Sequence, residues 1–390
     1  MFSLIFFFLS KCFFSHYIGG EITWECNKDP LSLDYGKYTF YLTIYQDCDG
    51  IDFSTIGYDI TVHNHPSLFS INLPFSSAVD ISPTGVAGSV PCYDCNTQPI
   101  NTFGAVKQWN YVSAPTIITG TPPAGGWHFT WGTCCRSQAI VNIPNADSED
   151  WTVRSVMYPY TDPNGVVFPN ANMCYENSPI FKEEPKTILC TGYPFSYSHL
   201  AFDVELDSLS YSWAEPLDAA AFYNAANPSA TALAYSPPYN VNSPIPGNPT
   251  LNNENGEISF LSNIAGVFVT VVKVEAFKCG QLVAEVFRDV NVGLLACGTL
   301  PNGSQNSPPV ISSPVGPQNW ITTFNPSTGK KQFRLGGFLS KTDKDYIVMN
   351  NGEFSWSVQK DKTVFFKKVS FGELKDEIIE KISKKYEKKI

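Results

Sequence analysis

Apolar and polar side chains alternate in short runs along the first three hundred residues, and alternation with period two marks a half-buried strand. In Y-T-F-Y-L-T-I-Y-Q-D-C the residues Phe40, Leu42 and Ile44 share one face, and the preceding H-Y-I-G-G-E-I-T-W-E-C predicts a partner strand. Similar runs predict strands over 57–63, 67–73, 110–118, 126–131 and 137–143. Later, Leu209, Tyr211 and Trp213 alternate immediately after an acidic turn. N-G-E-I-S-F follows, then I-A-G-V-F-V-T-V-V-K-V-E-A-F and L-V-A-E-V-F-R-D-V-N-V, joined through K-C-G-Q, the pattern of a strand hairpin. Ala, Asn, Pro and Ser dominate 219–255, where long loops or a short helix near 219–226 are expected. In the tail, strands are expected over 345–350, 353–358 and 363–371. A helix over 373–386 would follow, with Leu374, Ile378 and Ile382 on one face.

Pro and Gly clusters punctuate these runs, and loop-rich sequence between 162 and 186 divides them into two groups. The expected class is all-β. It comprises two tandem β-sandwiches of Ig-like or cadherin-like type, 16–175 and 185–300, then a Pro/Ser/Asn-rich linker over 301–329 and a small α+β tail over 330–390. Length and composition agree: 390 residues with 43% apolar and 14% aromatic content are ample for real cores, whereas only 16% are charged. Charge sharpens the last boundary. The tail holds 15 basic and 9 acidic residues, a net +6, against −16 for the rest and −10 overall. That acidic balance argues against a nucleic-acid partner.

Residues 1–15, M-F-S-L-I-F-F-F-L-S-K-C-F-F-S, form an apolar stretch too short to span a bilayer and are expected to be an export signal peptide. Of 11 cysteines, Cys12 lies in that leader. The remaining ten, Cys26, Cys48, Cys92, Cys95, Cys134, Cys135, Cys174, Cys190, Cys279 and Cys297, suit up to five disulfides in an oxidising compartment. Adjacent Cys134 and Cys135 are each expected to reach a distant partner, because a trans peptide holds their Cα atoms about 3.8 Å apart, shorter than usual disulfide spacings.

Candidate chemistry centres on Asp203, Glu205 and Asp207. Oxygen ligands two residues apart in a turn suit a hard cation such as Ca²⁺. The pair Cys92 and Cys95 lacks a second such pair for zinc. His63 and His65 could share a metal on one strand face, although such a pair is more often simply a partly exposed strand end. None of the five His, which include His16, His128 and His199, sits in a catalytic motif, so no enzyme is expected. Trp127, Trp131 and Trp151 could stack on sugar rings or fill a core.

Several of these segments together resemble a module of large secreted Bacteroidota surface proteins associated with gliding motility and type IX secretion. The opening resembles S-H-x-x-G-G-E-I at Ser15, His16, Gly19, Gly20, Glu21 and Ile22, with Cys26, Asp47 and Cys48 following. Cys134, Cys135, Arg136, Ala139, Ile140, Asn142 and Ile143 resemble C-C-R-N-x-A-I-x-N-I, and N-S-P-I-F begins at Asn177. Cys190, Gly192, Phe195, Tyr197, Asp203 and Asp207 to Tyr211 resemble C-x-G-x-x-F-x-Y and D-x-D-G-D-S-L-S-Y, with Glu205 and Leu206 replacing Asp and Gly. Gly280, Arg288 and Asp289 match part of a later E-x-R-x-G and R-D pattern. The resemblance covers about 15–310. It implies a non-catalytic cell-surface protein serving adhesion or structural spacing, stabilised by disulfides and by candidate Ca²⁺, with an extracellular glycan or surface protein as partner. The alternative is an exported glycan-binding module or polysaccharide-degrading enzyme.

Overall fold

The computed structural model describes residues 17–47, 52–82, 106–167, 174–185 and 188–296. Beyond these it describes the strand segments 320–325, 330–335, 345–350, 353–360 and 363–369. The expected leader, Cys48, Cys92, Cys95, Cys297 and the helix over 373–386 lie outside the described residues. No helix of the described residues is long and apolar enough to cross a membrane.

Residues 1–306 form one compact unit and 307–390 a second. In the first, seven strands build most of one sheet: β1 (Tyr17–Cys26), β2 (Tyr38–Asp47), β3 (Gly57–His63), β4 (Ser70–Asp80), β5 (Val106–Val112), β6 (Trp127–Thr133) and β7 (Trp151–Met157). Nine more follow: β8 (Ile180–Phe181), β9 (Ile188–Cys190), β10 (Pro194–Ser198), β11 (Ala201–Phe202), β12 (Ser208–Trp213), β13 (Thr250–Leu251), β14 (Glu257–Leu261), β15 (Gly266–Lys278) and β16 (Gln281–Leu295). The main sheet runs β1-β2-β5-β4-β3-β6-β7-β16-β15-β12. Along one edge of β16, β7 pairs at Ala284–Val286, β1 at Asp289 and Val290, and β9 in parallel at 293–295. Both outer strands of the seven therefore meet the same edge, and the sheet closes into a ring.

Closure requires β1 to approach two neighbours at once. A Cβ on Gly19 would lie 2.4 Å from the Asp289 carbonyl oxygen, and one on Gly20 2.6 Å from that of Thr43. Any other residue would push the strands apart, which is the physical content of the Gly-Gly pair. Inside the ring Trp24, Phe40 and Phe129 pack together, and Tyr17 stands edge-on to Trp151 at 4.2 Å between ring centroids. Trp127, Trp131 and Trp151 are buried here, so these three fill a core and present no sugar-stacking face.

The division expected between residues 175 and 185 is crossed by this sheet: β16, from the second expected domain, joins β1 and β7 of the first. Further along, the small sheet β10-β14-β13 packs over the β15–β16 hairpin through Ile258, Phe260, Phe268, Val272 and Val292. Val269, Val271 and Phe287 are buried on the hairpin's opposite face. Burial on both faces explains the nearly unbroken apolar run in β15. At the hairpin tip Cys279 and Gly280 both take left-handed backbone angles, φ 50° and 79°, the conformation that a two-residue type I′ turn requires.

Other expectations are corrected. Residues 137–143 form no strand. Instead the Asn142 side chain imitates one, accepting the Val269 N–H at 2.9 Å and donating to the Val269 and Pro244 carbonyls at 2.8 Å. Of the long loops or short helix expected near 219–226, the structure has loops with 3₁₀ turns at Ala220–Phe222 and Pro228–Thr231, in a segment interrupted by Pro and Asn. The second unit is an antiparallel meander of β17 (Trp320–Asn325), β18 (Lys330–Leu335), β19 (Asp345–Asn350), β20 (Glu353–Lys360) and β21 (Thr363–Val369). Two of its strands were not expected, and β17 lies within the expected linker.

Candidate functional site

The short motifs scattered through the sequence meet where the ring closes. Glu21, one residue past the glycines, takes two hydrogen bonds from Arg288, at 2.7 Å and 3.0 Å, and one from the Tyr45 hydroxyl at 3.0 Å. Arg136 of the Cys-Cys-Arg segment donates to Asp289 Oδ2 at 3.1 Å and to the Leu217 carbonyl at 3.0 Å, with its guanidinium 3.9 Å from the Trp151 ring. Burial pushes the Asp289 carboxyl up to about 6, against the pull of Arg136. His199 stands 3.4 Å from Arg288, and burial, with Arg288 adding to it, holds the imidazole well below its usual range. In this layer each buried charge has an opposite charge beside it.

A second group of buried charges is differently balanced. The segment after Cys174 is held to the end of β1 by the Cys26–Cys174 disulfide, whose Cα atoms are 5.7 Å apart. Asn177 accepts the Cys26 N–H at 2.5 Å, and Ser178 accepts the Trp24 N–H at 2.8 Å. Those anchors set Glu176, which is fully buried, beside the acidic turn. The turn is closed by Asp203, whose Oδ1 accepts the Asp207 N–H at 3.0 Å, and by Leu206 in the left-handed region at φ 64°.

Carboxylate oxygens of Glu176, Asp203 and Glu205 lie within 4.8 Å of one another. Glu176 Oε1, Asp203 Oδ2 and Glu205 Oε2 are buried without a hydrogen-bond partner. Asp207 is not in this trio; it turns to Lys278 at 2.5 Å, and the same ammonium is 2.9 Å from Glu176 Oε2. Glu205 pairs with Lys28. Four carboxylates therefore share two ammonium groups. Burial pushes the Glu176 carboxyl up to about 9, with Lys278 opposing the rise and Glu205 and Asp207 adding to it. Burial raises Asp203 as well. An all-oxygen donor set with negative charge in excess is the chemistry a calcium ion takes. Of the three sequence-predicted ligands, the structure brings together Asp203 and Glu205 and replaces Asp207 with Glu176. Glu176 is 27 positions from Asp203 in the sequence, and its only signal there was a charge in the otherwise uncharged run C-Y-E-N-S-P-I-F.

The cysteines also depart from expectation. Cys134 and Cys135 bond each other across a cis peptide, which brings their Cα atoms to 3.1 Å and removes the trans-peptide premise of distant partners. Cys279 is unbonded and exposed at the hairpin tip. Cys190 is disulfide-bonded, with a partner outside the described residues. His63 and His65 have separate protein partners: His63 bonds Thr130 at 2.8 Å, and His65 Nδ1 accepts the Leu68 N–H at 2.8 Å.

No family model matches the chain. No solved structure matches it either. A curated protein, the uncharacterized protein L202 of Acanthamoeba polyphaga mimivirus, is 45% identical over 64 residues, 16% of this chain and 40% of that protein. The chain thus spans about two fifths of the length of that relative.

Proposed function

We propose that this chain is a secreted cell-surface module that serves adhesion or structural spacing without catalysis, braced by disulfides and by a calcium ion at Glu176, Asp203 and Glu205. On this reading, the layer formed by β10, β14 and β13 with the facing hairpin is the Ig-like or cadherin-like part, and an extracellular glycan or surface protein is the partner. The resemblance to Bacteroidota surface proteins supports the same assignment.

The observation that carries the reading is the Cys26–Cys174 disulfide, which closes 148 positions of sequence and fixes the segment that bears Glu176. Such a crosslink persists outside the reducing cytoplasm. A peptide map of the exported protein under non-reducing conditions tests it. The expected result is a linked Cys26–Cys174 peptide, and mostly free thiols would overturn the assignment.

A further inference from the structure

Lys278 is the last residue of β15, and it meets the acidic turn just where β12 begins. Its ammonium lies 2.5 Å from Asp207 Oδ2 and 2.9 Å from Glu176 Oε2. Little water reaches this contact, because the side chains of Lys278, Asp207 and Glu176 are 14%, 12% and 0% exposed. Among the ion pairs of the described residues no other lysine is so enclosed: Lys273 is 23% exposed, and Lys28, Lys37 and Lys107 are more open still.

An amine, an acyl carbon and a carboxyl group that passes protons between them are the parts from which an amide is made. Lys278 and Asp207 supply the first two. Glu176 touches the same nitrogen and keeps Oε1 buried without a hydrogen-bond partner, so one of its oxygens is free to take up a proton. Keeping two charges out of water is costly even when they are paired, and condensation to an amide removes both. Water opposes such a condensation between free molecules. Groups that a fold holds in contact react instead at effective concentrations of about 10⁵–10⁸ M.

We propose that Lys278 and Asp207 join in an intramolecular isopeptide bond, with Glu176 carrying the protons. The lone pair of Lys278 Nζ forms the bond to Asp207 Cγ, one Cγ–O bond breaks, and its electron pair leaves on that oxygen. Two of the three ammonium protons pass through Glu176 to the departing oxygen, which leaves as water, and the third stays on the amide nitrogen. Glu176 ends as it began, and no oxidant or outside reagent is consumed.

The bond spans 71 positions of sequence. Ser208 pairs with Phe277 at the end of the β12–β15 ladder, and β12 is the outermost strand of the main sheet, so the link staples that strand beside its last rung. It leaves the acid excess of the turn as it was, since four carboxylates against two ammonium groups become three against one. The bond forms before calcium enters, because a bound ion would occupy Glu176.

Intact mass of the full chain, measured after its disulfides are reduced, tests the bond. The expected mass falls short of the sequence by one water, and a digest should hold one branched peptide that joins Asp207 to Lys278. Lys278→Arg keeps a cation beside both carboxylates and should retain the water. Glu176→Gln should leave most chains unlinked. A wild-type chain of full mass, a branch from Lys278 to Glu176, or the same loss of water in Lys278→Arg would overturn the proposal. Complete linkage in Glu176→Gln would overturn the role given to that residue. If Glu176→Gln does not fold, the wild-type mass and branched peptide still decide the bond, whatever the calcium titration and the map of Cys26–Cys174 show.

Discussion

The closure layer and the acidic turn bury charge in opposite ways. At the closure, Glu21 faces Arg288 and Asp289 faces Arg136, so each desolvated charge is answered from within the chain. At the turn, Glu176, Asp203, Glu205 and Asp207 are answered, among the described residues, by Lys28 and Lys278. Taking a charge out of water is costly unless it is paired. The first arrangement balances its charges within the chain, and the second leaves acid in excess, which the proposed calcium ion would answer. The difference separates charges that specify the fold from charges that leave room for a ligand.

The comparison breaks first if the closure pairs are dispensable. Glu21→Gln strands a buried Arg288, and a loss of about 3–5 kcal/mol in chemical denaturation is expected. Replacing both residues with Met should recover much of it, since a buried pair contributes little net stability over well-packed apolar side chains. Next comes the anchor of the acidic segment. The double replacement of Cys26 and Cys174 by Ser should cost about 2–5 kcal/mol and weaken the response to calcium, because Glu176 is no longer held beside Asp203.

Acid should act on the two regions in opposite directions. His199 has its proton affinity lowered by burial and by Arg288, so its contribution is present above pH 6.5, the usual imidazole value, and is lost as pH falls below it. Glu176 is raised to about 9, so its burial becomes unfavourable as pH rises from the ordinary carboxyl value of 4.5 toward 9. With calcium removed by chelator, stability curves of His199→Gln should be flatter below pH 6.5, and those of Glu176→Gln flatter above pH 4.5. Superimposable curves for wild type and either variant would remove that group from the account.

The smallest effect concerns the turn itself. Leu206 adopts φ 64° where the resembling proteins carry Gly, and it is 80% exposed. Leu206→Gly should raise stability in chemical denaturation by about 1 kcal/mol, because it relieves the left-handed backbone while removing a side chain that is mostly in water.

Much of the β architecture was legible because strand periodicity is local. Gly57–His63 was bounded correctly, and the K-C-G-Q turn marked the β15–β16 hairpin. Ring closure was not legible. It depends on β16 offering one edge to β7, β1 and β9 in succession, a long-range pairing that no local pattern encodes. The Gly-Gly-Glu and Arg-Asp motifs did carry the information, as a close approach and two buried ion pairs, but separately they did not show that they meet. The acidic turn was read for its own residues, so Glu176, brought in by a disulfide, was missed.

Calcium titration of the full chain, by calorimetry and by melting in calcium against chelator, tests the central claim most directly. One saturable site should appear, with stabilisation of about 2.7 kcal/mol when calcium is a hundredfold above its Kd. Glu176→Gln should remove both signals, whereas Asp207→Asn, which alters only the Lys278 partner, should leave the site able to bind. Absence of heat together with identical melting in calcium and chelator would contradict the account.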